Sequence, residues 1–188
     1  MPVDCQKLVI LDTPFRFLGL VFKGSKVLHL SLGHKTRKEL KQAVSLSGNL
    51  RAERSPREES EPHNLQIQDL VDRLQRYTEG EVEEFRDVDL DLDNVTPFTR
   101  RVLRACQKIP YGKTVSYGML AERAGSPRGA RSAGTVMAKN RFPLLVPCHR
   151  VVAAGRRLGG FSAPGGLPLK RQLLSLEAST CGVPLAVQ

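Results

Sequence analysis

The sequence predicts an α+β protein, with a small N-terminal α/β module followed by a mainly helical C-terminal domain. Two strand-like runs, 16–23 and 26–32, predict an antiparallel hairpin in the module. The C-terminal domain is expected to contain a helix-turn-helix and a short strand at the candidate active site. We expect the module to span residues 1–94, the C-terminal domain residues 95–180 and a tail residues 181–188.

Strand and helix patterns follow one another in the N-terminal module. In the second strand-like run leucines alternate with polar residues, the period of a half-buried strand: Leu28, His29, Leu30, Ser31 and Leu32. Residues 36–46 have a helical pattern. A second helix is predicted from four apolar residues at helical spacing: Ile67, Leu70, Val71 and Leu74. The polar residues 47–64 predict a flexible surface loop, and the acidic stretch 79–93 predicts a connector that crosses the surface.

Capping residues delimit the helices of the C-terminal domain. Helix start signals stand at three places: Thr96-Pro97, Ser116 and Ser126-Pro127. They predict a first helix from residue 97, a short helix over 117–124 and a third helix from 126 to about 139. The tight turn between the last two predicts a helix-turn-helix. A closing helix is predicted over about 168–178.

The net charge of +10 is unevenly distributed along the chain. Residues 1–94 hold 14 Lys and Arg against 17 Asp and Glu, a formal charge of −3. Residues 95–188 hold 15 Lys and Arg against only Glu122 and Glu177, a formal charge of +13. So strong a positive charge predicts a polyanionic partner, and nucleic acid is favoured over a basic surface that binds nothing.

Composition and motif spacing exclude several other classes. With 40% hydrophobic residues the chain can build a core, and it has no run of about 18 apolar residues that would span a membrane. Residues 1–7 lack the pattern of a secretory signal and no two cysteines form a CxxC pair, so we expect an intracellular protein with reduced thiols. Cys5, His29 and His34 supply only part of a zinc site, so no metal is expected.

The second helix of the helix-turn-helix is rich in small residues. Residues 129–139 read GARSAGTVMAK, and small side chains let a helix backbone approach a neighbour closely. The pattern fits tight packing against another helix. It also fits a helix pressed into a nucleic-acid groove with Arg131 projecting from it, and a narrow minor groove suits it better than readout in the major groove.

The strongest chemical signal is the segment PCHR at 147–150, which follows a run at 144–146 that predicts a buried strand. A free cysteine is most often buried and inert. A positive field favours a thiolate at Cys148, however, and four arginines would supply it: Arg141, Arg150, Arg156 and Arg157. His149 can accept the thiol proton, and of the two carboxylates Glu177 is a better candidate than Glu122 to orient that histidine.

Between Pro97 and Glu177 the chain resembles the O6-alkylguanine-DNA alkyltransferases, also called methylated-DNA–protein-cysteine methyltransferases. The resemblance rests on six segments: IPYGKTVSY at 109–117, GARSAG at 129–134, Asn140, PCHRVV at 147–152, GGFS at 159–162, and Lys170 with LLSLE at 173–177. The N-terminal half matches only loosely, through Asp12-Thr13-Pro14 and the hairpin after it.

This resemblance implies a DNA-repair enzyme that transfers a methyl or other alkyl group from O6 of guanine in duplex DNA to Cys148. Because the thioether has no easy return path, each molecule acts once as an S-methyltransferase, without cofactor or metal. The expected partner is duplex DNA containing O6-alkylguanine, bound by a monomer that needs no membrane and no obligate protein partner. The expected compartment is the cytoplasm of a prokaryote or the nucleus of a eukaryote.

The resemblance also implies roles for residues at the reacting centre. Cys148 is the nucleophile, His149 is the base that acts through a water, and Glu177 is hydrogen-bonded behind that histidine. Asn140 ties the helix-turn-helix to the active-site strand. Tyr117 crowds the phosphate of the target nucleotide and protonates the departing guanine.

Further residues are implied in DNA and guanine binding. Arg131 is expected to fill the gap that a flipped nucleotide leaves in the base stack. Four more residues are expected to contact the DNA along the groove: Thr99, Ser126, Ala130 and Ser132. Val151, Phe161 and Ser162 are expected to line the guanine pocket.

Three positions depart from the family pattern. Phe161 stands where many relatives have tyrosine, which keeps stacking on a base but removes a phenol hydrogen bond. The loop 162–166 is longer than usual by about two residues, which leaves the range of accepted alkyl groups open. Arg141 follows Asn140 where proline is commoner.

Three other functions stand as alternatives. An alkyltransferase-like protein that flags lesions without repairing them is disfavoured, because that class lacks the cysteine that Cys148 supplies here. A transcription regulator, switched by methylation of Cys5 or another N-terminal cysteine, would need an extra metal-bearing domain for which we expect no room. A thiol protease would not explain the charge of +13.

Overall fold

The α+β class is confirmed by a computed structural model of the chain. The structure describes four stretches: residues 6–46, 57–58, 64–185 and 187. They fall into two units: Met1–Glu83 with Asp87–Asp91, and Glu84–Arg86 with Leu92–Gln188. Within these described residues no helix is long and apolar enough to cross a bilayer.

The first unit is built on a four-stranded sheet. Its strands are β1 (Lys7–Thr13), β2 (Arg16–Lys23), β3 (Lys26–His34) and β4 (Arg57–Glu58), in the order β3-β2-β1-β4. β2 and β3 form the predicted antiparallel hairpin, and Gly24 between them has a φ of +59°, which suits a residue without Cβ. β1 pairs antiparallel with β2 and parallel with β4. β1 is missing from the predicted elements because its apolar residues 8–11 are continuous and do not alternate.

Two helices complete the first unit, α1 (Arg37–Leu46) and α2 (Leu65–Glu79), and both confirm predicted helices. Leu40 and Val44 of α1 pack into one apolar cluster with the sheet residues Leu8, Val21 and Leu28. The four apolar residues that predicted α2 are all buried. The predicted surface loop 47–64 lies outside the described residues except for 57, 58 and 64.

The acidic stretch after α2 does not simply cross the surface. Four apolar side chains between its acidic residues are buried: Phe85, Val88, Leu90 and Leu92. Leu90 forms a parallel bridge with Val27 of β3, and Arg73 of α2 binds Asp87 at 2.7 Å. The predicted surface connector is wrong here, because the acidic residues alternate with apolar ones that turn inward.

The second unit contains the helix-turn-helix. Its elements are α3 (Pro97–Gln107), β5 (Val115–Ser116), α4 (Tyr117–Arg123), α5 (Ala130–Ala138), β6 (Val151–Val152) and α6 (Gly166–Thr180). Two of the three predicted helix starts are confirmed: the Thr96 hydroxyl accepts a hydrogen bond from the Thr99 N–H at 3.2 Å, and the Ser116 hydroxyl accepts one from the Met119 N–H at 3.1 Å. The two short strands β5 and β6 pair in parallel.

The second helix of the helix-turn-helix, α5, begins four residues later than predicted. Ser126-Pro127 opens a turn instead, in which the Gly129 N–H donates to the Ser126 carbonyl at 2.8 Å. A Cβ at Gly129 would lie 2.5 Å from the Ser126 hydroxyl, so this turn depends on glycine. The serine and proline therefore start a turn rather than a helix.

Candidate active site

Cys148 opens a one-turn 3-10 helix, Cys148–Arg150, that leads directly into β6. The segment before it, 144–146, is buried but turns rather than forming the predicted strand, and Leu144 has a φ of +70°. A backbone hydrogen bond from the Val146 N–H to the Phe142 carbonyl at 2.7 Å closes this turn. Asn140 supports it, since its side-chain amide donates to the Val146 carbonyl at 2.8 Å and its side-chain oxygen accepts from the Phe142 N–H at 3.0 Å. The Asn140 side chain thus supplies hydrogen bonds to the backbone of Phe142 and Val146 that a neighbouring strand would otherwise supply. It also joins the end of α5 to the segment that carries Cys148.

A buried charge network stands behind the cysteine. The Glu177 carboxylate on α6 accepts a hydrogen bond from His149 Nε2 at 2.8 Å, from Arg150 Nε at 3.0 Å and Nη2 at 2.8 Å, and from the Gly112 N–H at 3.0 Å. Arg150 also donates to the Ile109 carbonyl at 2.8 Å. Neither His149 nor Glu177 exposes any surface. Of the two carboxylates in residues 95–188, the structure thus brings Glu177 to the histidine.

The network fixes which nitrogen of His149 can act as a base. Burial alone would raise the pKa of Glu177, but His149 and Arg150 outweigh it and hold that pKa well below its ordinary value. An ionised carboxylate cannot donate, so the hydrogen on the short contact belongs to His149 Nε2. Burial lowers the pKa of His149, so the ring is neutral near pH 7 and carries its basic lone pair on Nδ1.

Cys148 rests as a thiol. Burial raises its pKa, and hydrogen bonding from Asn140 and the charge of Lys170 offset that effect only in part. The predicted arginine field therefore does not hold Cys148 as a thiolate, because burial outweighs the groups that favour ionisation. Arg150 is bound to Glu177, Arg157 is exposed and donates to the Ala154 carbonyl at 3.3 Å, and the Arg156 side chain lies outside the described residues.

Lys170 and Arg150 are the two members of this centre whose placement the sequence left open. Lys170 of α6 is fully buried and donates to the carbonyls of Val151 at 2.6 Å and Gly160 at 3.1 Å. Burial lowers its pKa to about 8. Besides its part in the family resemblance, Lys170 stands seven residues before Glu177 on one helix, which is two turns and therefore the same face.

A cavity of about 250 Å³ opens beside Cys148. It is lined by eight residues: Tyr117, Gly134, Met137, Ala138, Cys148, Gly160, Phe161 and Ser162. Tyr117 donates to the Gly160 carbonyl at 3.5 Å, and burial raises its pKa, so it is a neutral phenol. Val151, also predicted to line a pocket, is fully buried and does not line this one; its carbonyl holds Lys170 instead.

The residues predicted to contact DNA lie on three helices and one turn, with Tyr117 at the start of α4. Arg131 and Ser132 are exposed on the first turn of α5, Ala130 is half-buried beside them, and Ser126 lies in the turn before the helix. Thr99 lies on the first turn of α3, at a different cavity. Cys5, one of the three partial zinc ligands, lies outside the described residues, and no group of three His, Cys, Asp or Glu within the described stretches could hold a metal ion.

Comparisons with known proteins match both the sequence and the fold. A family model described as 6-O-methylguanine DNA methyltransferase, DNA binding domain, matches residues 97–179. A methylated-DNA–protein-cysteine methyltransferase of Mycolicibacterium paratuberculosis is 48% identical over 107 residues, which span 57% of this chain and 62% of the relative. One of Mycobacterium tuberculosis is 44% identical over 117 residues, 62% of this chain and 68% of the relative. The solved structure of M. tuberculosis OGT in complex with DNA has a TM-score of 0.73 at 34% identity, covering 96% of each chain.

The Glu177 network yields a prediction about stability. Glu177→Gln removes the anion that compensates the buried Arg150 guanidinium, so we expect the free energy of unfolding to fall by about 3 kcal/mol. Glu122→Gln removes the other, exposed carboxylate of residues 95–188 and should change it by less than about 0.5 kcal/mol. Urea unfolding of both variants measures the difference, and equal small losses would contradict a stabilising role for the network.

Proposed function

This chain belongs to the methylated-DNA–protein-cysteine methyltransferase family, and we propose on that basis that it repairs DNA by taking an alkyl group from O6 of guanine onto Cys148. The observation that carries the proposal is a thiol facing a cavity of about 250 Å³, next in sequence to a buried, neutral histidine whose orientation Glu177 fixes. The same unit presents the helix-turn-helix, so the chain binds DNA with the domain that holds the acceptor cysteine.

The transfer step requires deprotonation of a thiol whose pKa is raised. His149 Nδ1 takes the proton through an intervening water, and the sulfur of Cys148 attacks the carbon attached to O6. A carbon–sulfur bond forms as the carbon–O6 bond breaks, and its electron pair goes to the guanine. The Tyr117 hydroxyl donates a proton to the departing base and regains one from solvent, while His149 releases to solvent the proton that it took. The products are an S-alkyl cysteine and an unmodified guanine.

The chemistry needs no resident cofactor and ends after one turnover. A thioether is a poor leaving group, so nothing within the site regenerates the free thiol. Each molecule accordingly repairs one lesion, with a methyl group or another alkyl group that the cavity admits. The protein works as a monomer wherever its substrate DNA resides, in the cytoplasm of a prokaryote or the nucleus of a eukaryote.

Reaching O6 requires that the guanine leave the duplex. Unstacking and unpairing a base costs roughly a few kcal/mol, which an inserted side chain partly offsets. Arg131 is exposed on the first turn of α5 and suits this role. The small residues of α5 let its backbone lie close to the floor of the minor groove, and the charge of +13 in residues 95–188 supplies attraction to phosphates.

Methyl transfer is the direct test. We expect incubation with duplex DNA containing O6-methylguanine to add one methyl group to the peptide that carries Cys148, detected by mass spectrometry of the digested protein. Cys148→Ala should abolish transfer while DNA affinity stays within about twofold, because the thiol contributes chemistry rather than phosphate contacts. An unmodified Cys148 after complete contact with methylated DNA would overturn the proposed function.

A substitution of Arg131 can separate extrusion of the guanine from the alkyl-transfer step. Arg131→Ala should slow transfer from methylated duplex by about tenfold or more, since the vacated stack is no longer filled. Transfer from free O6-benzylguanine, which needs no extrusion, should change far less. The ratio of the two single-turnover rates is the measurement, and equal losses on both substrates would remove the role assigned to this arginine.

The pH dependence follows from the shifted pKa values. Because burial lowers the pKa of His149 from 6.5, its protonated form accumulates only in more acidic solution. We expect the rate from free O6-benzylguanine to be nearly constant between about pH 7 and 8 and to fall up to tenfold per unit at low pH, with a midpoint below 6.5. A rate that climbs tenfold per unit from pH 7 upward would show instead that a free thiolate attacks without help from His149.

A further inference from the structure

A second cavity, of about 170 Å³, lies on the opposite side of α5 from Cys148. Gly134, Met137 and Ala138 of α5 line the cavity at the cysteine. Thr135, Val136 and Lys139 line the second one. These two sets project roughly half a turn apart around the helix axis, because successive residues are rotated by about 100°. One helix thus forms a wall of both cavities.

The chemistry of the second cavity suits an anion. Its floor is apolar and its polar groups are two cations, Lys139 and Arg141, and two hydroxyls, Thr99 and Thr135. None of its eight lining residues is acidic. Lys139 is exposed and Arg141 half-exposed, so both charges are accessible from solvent.

Two contacts orient these groups. The Arg141 guanidinium lies over the ring of Phe142, 5.2 Å from its centre, and that ring is buried in the cavity floor. The Thr96 hydroxyl accepts from the Thr99 N–H at 3.2 Å and donates to the Thr99 hydroxyl oxygen at 2.9 Å. The hydrogen of the Thr99 hydroxyl therefore remains for another acceptor. Thr99 also lies in the first turn of α3, where the helix dipole favours negative charge.

We propose that this cavity binds one backbone phosphate of the DNA duplex, with Lys139 and Arg141 as its cationic contacts and the Thr99 hydroxyl as a donor. This inference rests on the proposed function and names a phosphate site for the same DNA. Because α5 with its side chains is about 10 Å wide, the phosphate belongs to a nucleotide other than the one extruded into the cavity at Cys148. Lys139 and Arg141 flank Asn140, whose hydrogen bonds reach Val146 beside the cysteine segment, so a phosphate held here positions the DNA relative to the acceptor.

The first experiment measures binding of methylated duplex as a function of salt. Lys139→Gln should weaken binding about tenfold, the effect of one charge-assisted contact, and should reduce the slope of log affinity against log salt by about 0.9. Arg171→Gln removes one exposed positive charge on α6, away from this cavity, and serves as the matched control. Equal effects of the two substitutions would overturn the proposal, because a general loss of positive charge would then explain the result.

The second experiment identifies the phosphate. Duplexes carrying a single neutral methylphosphonate, moved one position at a time, should reveal one position at which wild-type affinity falls by about tenfold and Lys139→Gln shows no further loss. If the losses of affinity from the methylphosphonate and from Lys139→Gln add at every position, no phosphate is held by this lysine. Arg141→Gln provides a second test. Its DNA affinity should also be unaffected by a methylphosphonate at the position where Lys139→Gln shows no further loss.

The two proposals fail in different ways. A wild-type protein that takes no alkyl group from methylated duplex or from free O6-benzylguanine overturns the proposed function. A wild-type protein that does take it, combined with a Lys139→Gln variant that matches Arg171→Gln in affinity and salt slope, overturns only the phosphate site.

Discussion

The Glu177 carboxylate of α6 receives hydrogen bonds from two other segments of the second unit. His149 and Arg150 come from the segment after Cys148, and the Gly112 N–H comes from the turn after α3. A carboxylate without exposed surface is tolerated only when its charge is compensated, and here Arg150 carries that compensation. The same contacts hold the histidine in one tautomer, so the interaction that holds the segments together also prepares the base that the proposed function requires.

The need for that base follows from where the nucleophile lies. Burial makes ionisation of Cys148 costly. The nearest arginine in the sequence, Arg150, forms an ion pair with Glu177 and so does not stabilise the thiolate. Lys170 is the remaining cation that favours the thiolate, and burial brings its own pKa down to about 8. The resting site therefore keeps a neutral thiol beside a neutral imidazole. Such a pair is protected from indiscriminate alkylation or oxidation, because the thiolate is the reactive form.

Local sequence signals predicted much of this organisation, whereas the rest depends on tertiary contacts that the sequence does not show. The alternating leucines of β3, the Thr96 cap and the pairing of His149 with a carboxylate were all readable, because each depends on neighbours in sequence or on a choice between two acids. The turn at Leu144 was not readable, since it depends in part on one amide, that of Asn140, reaching six residues along the chain. The charge state of the cysteine was not readable either. Counting arginines cannot reveal which of them are neutralised by a partner elsewhere in the fold.

Single use is consistent with how the cysteine segment is held. The Asn140 side chain joins the segment next to Cys148 to the end of α5, through one hydrogen bond to Val146 and one from Phe142. An alkyl group on the sulfur adds volume to a site where the cysteine is only 7% exposed, and close-packed interiors absorb added methyl groups poorly. If the chain acts as proposed, this added volume would press on the Asn140 amide that joins the segment to α5. Under the proposed function, alkylation would therefore act first on the Asn140 contacts between the cysteine segment and α5, and the alkylated protein would loosen there.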